Sequence, residues 1–293
     1  QVDDIEKVDT VYSAYSSGER TRSFLKVQDG CDYKCTYCTI PAARGRSRNL
    51  PIKQIVEEAQ QIAALGIKEV VLTGVNIGDF GRSTGEDFLE LLKQLEQVDG
   101  IERYRISSIE PNLLTSEIVE WIASGTKFLP HFHIPLQSGC DEILRKMRRR
   151  YNTTMFRQKI ELVRSYMGNP FFGIDVITGF PGETEELFNE TYRFLEEIRP
   201  AFIHIFPYSR RNGTPAALMD DQVDEQVKQQ RVHRLEELCA KLHKEYYDSF
   251  KGATEEVLFE STQKGGKMFG YTRNYILVER PYDKDLIGKI SVV

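Results

Sequence analysis

Cys31, Cys35 and Cys38 fall within eight positions in the stretch "KVQDGCDYKCTYCTIPAARGRSR" (26–48). Thiols at this CxxxCxxC spacing can wrap one inorganic centre, yet they are one ligand short of a closed tetrahedral site. Zinc is the plainer alternative. A structural zinc ion takes four protein ligands, and the fourth would have to be recruited from Cys140, Cys239 or a histidine, none at finger spacing. An iron–sulfur cluster suits three cysteines better, because three irons can be held and a fourth left exposed. A cluster used only for electron transfer is normally closed by a fourth thiolate, so an open iron invites a substrate or cofactor to chelate it.

The elements that must position this loop follow from the apolar pattern. Strands are expected at 23–27, 69–74, 103–108, 131–135, 171–179 and 202–207. Between them, Ile52, Ile55, Val56, Ala59, Ile62 and Ala63 recur at helical spacing, and segments 87–97, 115–124, 153–167 and 184–198 read the same way. Strands alternating with helices imply an α/β fold of repeated βα units and a parallel sheet, either doubly wound or curled into a partial or full barrel. In either case the strand C-terminal ends form the functional edge. The triple-cysteine loop directly follows the first strand and belongs to that edge. Residues 224–250 read as one long helix with Val227, Leu235, Leu238 and Leu242 facing inward. After it, "EEVLFE", "MFGYT", "NYILVE" and "GKISVV" form about forty residues of small β-structure.

Composition narrows the class. Of 293 residues, 40% are hydrophobic and 28% charged, the balance of a globular chain rather than a disordered one. No apolar run is long enough for a transmembrane helix, and "QVDDIEKVDT" lacks the features of a signal peptide. Five cysteines, three of them crowded, suit a reducing compartment and a metal site, so a cytoplasmic protein is expected, with no membrane association. A net charge of −5 argues against a uniformly basic nucleic-acid binder. Local clusters at 43–48, 145–150 and 208–213 nevertheless leave room for a phosphate-binding face.

CxxxCxxC after a first strand resembles the signature of the radical S-adenosylmethionine (SAM) enzymes. The resemblance implies a partial (β/α)6 TIM-like barrel, a 4Fe–4S cluster on Cys31, Cys35 and Cys38, and SAM chelating the open iron. Electron transfer from the cluster would then release a 5′-deoxyadenosyl radical, with a low-potential electron donor as partner. Within that superfamily, "GCDYKCTYCTIPAARGRSR", "HFHIPLQSG", "MRRRYN", "DVITGFPGET" and "FPYSRRNGTPA" resemble the successive blocks of the methylthiotransferases. The tail is similar to their small β-barrel RNA-binding domain, TRAM. The implied organisation is a linker at 1–22, a radical SAM core at 23–252 and TRAM at 253–293. "VVLTGVNIGDFG" (70–81) resembles the branch acting on N6-threonylcarbamoyladenosine next to the anticodon of tRNA, placing sulfur and methyl at adenine C2. Sister branches act on isopentenyladenosine in tRNA and on a ribosomal-protein aspartate. The family carries a second 4Fe–4S cluster on three cysteines of an N-terminal domain. Cys140 and Cys239 are too far apart and too helix-like to replace those ligands, so a fragment unable to thiolate RNA by itself is expected. A non-catalytic RNA-binding module with a structural cluster is the reading from another class.

The resemblance also suggests roles around the edge. Tyr37 would lie near the adenine, with Ile177 and Gly179 letting the ring approach. Thr73, Gly74, Val75 and Asn76 would bind the methionine amino group, unless they form an ordinary turn. Ser107, Ser108, Glu110, Gln137 and Ser138 would hold ribose hydroxyls, and Arg149 would pair with the SAM carboxylate or with a phosphate. Asp175 would line the cavity or cap an amide. For RNA, Arg44, Arg46, Arg48, Arg210 and Arg211 would share the sheet edge, and Lys264, Lys267, Tyr271, Arg273 and Tyr275 would serve in the tail. His131, His133 and His204 read as core or rim residues with no assigned role.

Overall fold

In a computed structural model, residues 14–16 and 21–293 are described; nearly all of the expected 1–22 linker lies outside them. The elements follow in order: β1 (Arg22–Lys26), β2 (Gln28–Asp29), α1 (Ile40–Arg44), β3 (Arg48–Asn49), α2 (Ile52–Ala64), β4 (Glu69–Thr73), α3 (Phe88–Glu96) and β5 (Arg103–Ile106). Next come α4 (Ser116–Ala123), β6 (His131–Gln137), α5 (Asp141–Lys146), α6 (Thr153–Met167), β7 (Phe171–Thr178), α7 (Glu185–Ile198) and β8 (Phe202–Pro207). The chain ends with α8 (Glu225–Asp248), β9 (Glu256–Lys264), β10 (Lys267–Thr272), β11 (Leu277–Pro281) and β12 (Ile290–Val292).

The six expected strands are β1, β4, β5, β6, β7 and β8. They form two parallel three-stranded sheets, β1-β4-β5 and β6-β7-β8, which meet at parallel bridges Tyr104–Phe128 and Ser108–His133. Among the described residues β1 and β8 are the outer strands and do not pair, so no closed barrel forms. Alternation along each strand separates two environments. On β7, Phe172, Ile174 and Val176 are buried in the main core, while Phe171, Gly173, Asp175 and Ile177 line cavities on the other face. The helices cover the first face: Ile55, Ala59 and Ile62 of α2 and Leu91, Leu92 and Leu95 of α3 are all fully buried.

Helix starts are set by side-chain caps. Asp87, Thr115, Asn152 and Thr184 each accept a backbone N–H at the start of α3, α4, α6 and α7. In α8, Leu235, Leu238 and Leu242 are buried as expected, but Val227 is only half-buried and Lys228 and Arg231 take the inward positions. The reason is a buried partner: Arg231 Nη1 donates to Glu183 Oε2 at 2.8 Å. Residues after 253 fold as a four-stranded antiparallel sheet in the order β11-β10-β9-β12. Two buried arginines of β5 hold it. Arg105 pairs with Glu69 at 2.9 Å and donates to the Thr272 and Arg273 carbonyls, while Arg103 donates to those of Glu256 and Tyr271. Among the described residues no helix is long and apolar enough to cross a membrane.

Candidate cofactor site

The cysteine loop leaves β2 through Gly30, whose φ is +72° and where a Cβ would stand 1.9 Å from the Arg46 carbonyl oxygen. Only glycine fits so close a crossing. The return arm closes on it, with Cys31 N donating to Gly45 O at 3.1 Å. Thr36 fastens the middle of the loop to two others. Its N–H and hydroxyl donate to Met147 O (3.1 Å) and Lys146 O (2.9 Å), and its carbonyl accepts Ala216 N–H at 2.9 Å. Three thiols are thus displayed from backbone that is anchored on three sides. Cys35 is buried, and Cys31 and Cys38 are half-buried.

Burial sets the electrostatics. It pushes the Cys31 thiol up to about 11 and raises Cys35, for which the nearby Arg149 guanidinium works in the opposite direction. Tyr37 is likewise held far above its ordinary value by burial. Metal-free, Cys31 and Cys35 stay protonated at neutral pH, and ligation must release those protons.

Beside the loop lies a cavity of about 330 Å³ lined by Tyr37, Cys38, Gln137, Asp175, Ile177 and Arg211, with Tyr208 and Phe206. Its volume lies in the range of small-molecule sites. Gln137 enters it from a strained position, φ +67°, at a register shift in the β6–β7 ladder. Such bulges re-aim side chains beside sites. On the far side of the cluster loop a second cavity, about 420 Å³, is lined by Cys31, Asp32, Tyr33 and Arg46.

The remaining expected residues divide. Thr73, Gly74, Val75 and Asn76 form the turn after β4, with Gln28 Oε1 accepting the N–H groups of both Val75 and Asn76 at 2.9 Å. Both side-chain amide atoms of Asn76 are buried without a hydrogen-bond partner, which leaves an orphaned polar group for a bound molecule to satisfy. Arg149 is held by four contacts at the loop: Nη1 donates to Cys35 Sγ and Tyr37 Oη, Nε to Tyr151 Oη, and Nη2 to Glu110. Glu110 is ion-paired with that guanidinium through one carboxylate oxygen. Ser138 is buried and bonded to Thr191, Ser107 lines a different cavity lower in the sheet, and Ser108 forms the β5–β6 bridge.

Among the arginines, Arg44, Arg46, Arg210 and Arg211 are exposed. Arg48 is buried, facing Asp29 and donating to the Arg44 and Arg46 carbonyls, which makes it a brace of the loop. In the tail, Lys264 and Lys267 are exposed and Lys267 pairs with Glu279. Tyr271 and Tyr275 are half-buried, stacked 4.5 Å apart, and line the lower cavity. Arg273 is half-buried, and its carbonyl accepts from Arg105. Cys140 and Cys239 are buried thiols within the packing. Gln28, Thr36 and Tyr151 escape the sequence reading because isolated polar residues carry no period.

A match to the profile of the Radical SAM superfamily covers residues 25–195. The chain belongs to this superfamily. Solved radical SAM structures agree in fold: the TsrM methyltransferase of Kitasatospora setae, with cobalamin and a [4Fe-4S] cluster bound, has a TM-score of 0.56 at 18% identity over 67% of this chain and 38% of that one. Coproporphyrinogen III oxidase of Escherichia coli scores 0.54 at 14% identity over 85% of this chain and 66% of that one. In sequence, this radical SAM chain is 43% identical over 281 residues to the threonylcarbamoyladenosine tRNA methylthiotransferase MtaB of Bacillus subtilis, covering 94% of this chain and 62% of that protein. It is 38% identical over 273 residues to the tRNA-2-methylthio-N(6)-dimethylallyladenosine synthase of Alkaliphilus oremlandii, covering 92% of this chain and 58% of that protein. The chain thus spans less than two thirds of the length of either relative.

Proposed function

We propose that this chain is the radical SAM part of a tRNA methylthiotransferase acting on N6-threonylcarbamoyladenosine next to the anticodon. Cys31, Cys35 and Cys38 would hold a 4Fe–4S cluster, and SAM would occupy the adjoining cavity. The observation that carries the reading is the placement of Cys38 and Tyr37 on one wall of the cavity that Ile177, Gln137 and Asp175 close. When bound, the cluster and SAM supply one-electron chemistry able to break an unactivated aromatic C–H bond. The protein's own residues do the rest. Tyr37 and Ile177 offer apolar surface to an adenine, Gln137 and the unpartnered Asn76 amide offer hydrogen bonds, and Thr36 fixes the loop.

Exposed Arg44, Arg46, Arg210 and Arg211 would contact tRNA phosphates around the same edge. Segment 253–293 would be the TRAM unit, contributing Lys264, Lys267 and Arg273 to RNA binding. The higher identity to an MtaB enzyme favours threonylcarbamoyladenosine over dimethylallyladenosine as the base.

The test is anaerobic reconstitution, reduction with SAM present, and quantification of 5′-deoxyadenosine, with Cys35→Ala as the control. Product that depends on all three cysteines is expected. Full iron loading without SAM cleavage would return the cluster to a structural role. Competition between tRNAs carrying the two modified adenosines then separates the substrates.

A further inference from the structure

Beneath the cavity beside the cysteine loop, the inner face of β6, β7 and β8 carries a polar group within a lumen also lined by Phe171, Phe202, Tyr247, Tyr271 and Tyr275. His133 Nε2 lies 2.7 Å from Asp175 Oδ1, and the His133 and His204 rings are 5.1 Å apart. One donor atom from each of His133, Asp175 and His204 falls within 4.8 Å of the others, the one such trio of His, Cys, Asp or Glu among the described residues. We propose that these three side chains form a binding site for a divalent transition ion of the zinc class, separate from the cysteine loop.

Strand register builds the trio. Asp175 pairs across the β7–β8 ladder with His204, and His133 pairs across the β6–β7 ladder with Gly173. Side chains at these lateral positions stand about 5 Å apart on one face of a sheet, the distance over which two ligands can share an ion. Gly173 puts no side chain of its own between the imidazoles, at a point where a Cβ would already meet Phe171 Cε1 at 3.3 Å. A Cβ built there would meet His204 Nε2 at 3.7 Å, which places that nitrogen at the gap. His204 Nε2 makes no hydrogen bond among the described residues, so it is available. Two imidazoles and a carboxylate are the ligand set of three-coordinate protein sites that leave a fourth position to water or substrate. That position would open on the lumen, because His133 and His204 line the lower cavity of about 410 Å³ and Asp175 lines the upper one. A simple His–Asp hydrogen bond would need neither His204 nor the gap.

The experiment uses cluster-loaded protein dialysed against zinc, followed by metal analysis and X-ray absorption at the zinc edge. Zinc retained beyond the iron, with nitrogen and oxygen neighbours and no sulfur shell near 2.3 Å, is expected. His204→Ala and Asp175→Asn should each weaken retention by at least about tenfold while leaving the iron content unchanged. Iron content and circular dichroism show that both variants fold. Zinc with sulfur neighbours, zinc retained equally by both variants, or no zinc retained at all would overturn the site. None of these outcomes depends on SAM cleavage, so failure here is distinguishable from failure of the proposed activity.

Discussion

The Arg149 guanidinium donates to the Cys35 sulfur across 3.1 Å. The same guanidinium bonds Tyr37 and Tyr151 and is ion-paired with Glu110, so a single buried cation ties a cysteine loop to the ends of β5 and β6. Arg149→Met would leave the Glu110 carboxylate buried and unpaired, which costs about 3–5 kcal/mol. The double variant Arg149→Met with Glu110→Gln should recover most of that deficit. Urea denaturation of metal-free protein measures both, and an unchanged midpoint in the single variant would show that the pair contributes nothing.

Thr36 sets the position of the cysteine loop without touching a ligand. Thr36→Val removes its hydroxyl bond to Lys146 O while keeping the shape. The expected result is faster loss of iron from reconstituted protein, with stability reduced by about 1 kcal/mol. Iron release to a chelator is the measurement.

Arg105 is the main bolt of the C-terminal sheet. Arg105→Met leaves Glu69, which is 1% exposed in its side chain, with only the longer Arg22 pairing at 3.8 Å, and takes a donor from the Thr272 and Arg273 carbonyls. Destabilisation of about 3–5 kcal/mol is expected, together with faster proteolysis in the 249–255 connection. Equal cleavage rates in variant and parent would disprove the docking role.

On the proposed function, removing exposed cations should weaken tRNA binding and lower its dependence on salt. Each arginine–phosphate pairing that a substitution abolishes should make the slope of log affinity against log salt shallower by about 0.7–0.9. Arg46→Gln and Arg211→Gln are expected to do so; Arg48→Gln should instead destabilise the loop. Filter binding across a salt series reads the difference.

Lys244 and Lys251 hold Asp248 down to about 2 at the end of α8. A carboxylate depressed on folding contributes stability above its unfolded value of about 3.9, and loses it as pH falls towards 2. Asp248→Asn should therefore lower the melting temperature at pH 7 and leave it nearly unchanged at pH 2. The effect should be small and shrink in high salt, because all three groups are near solvent.

The six parallel strands, the long helices and the cysteine loop at the sheet edge were legible in the residues alone. Periodicity records which face of an element is buried, and the CxxxCxxC spacing is local. Partnership between polar side chains distant in the chain was not legible, and emerged only with the packed fold. Arg149 reads as a partner for the SAM carboxylate or a phosphate and Arg48 as a phosphate contact; the fold places Glu110 and Cys35 beside the first and Asp29 beside the second. Tyr271 and Tyr275 read only as aromatics of the tail; docking of the C-terminal sheet onto β5 sets them beside the lower cavity. His133 and His204 read as rim residues until strand register sets Asp175 between them. An ion pair or a ligand set depends on distances across the sheet, and those distances are fixed by the packing of whole elements rather than by any local pattern of residues.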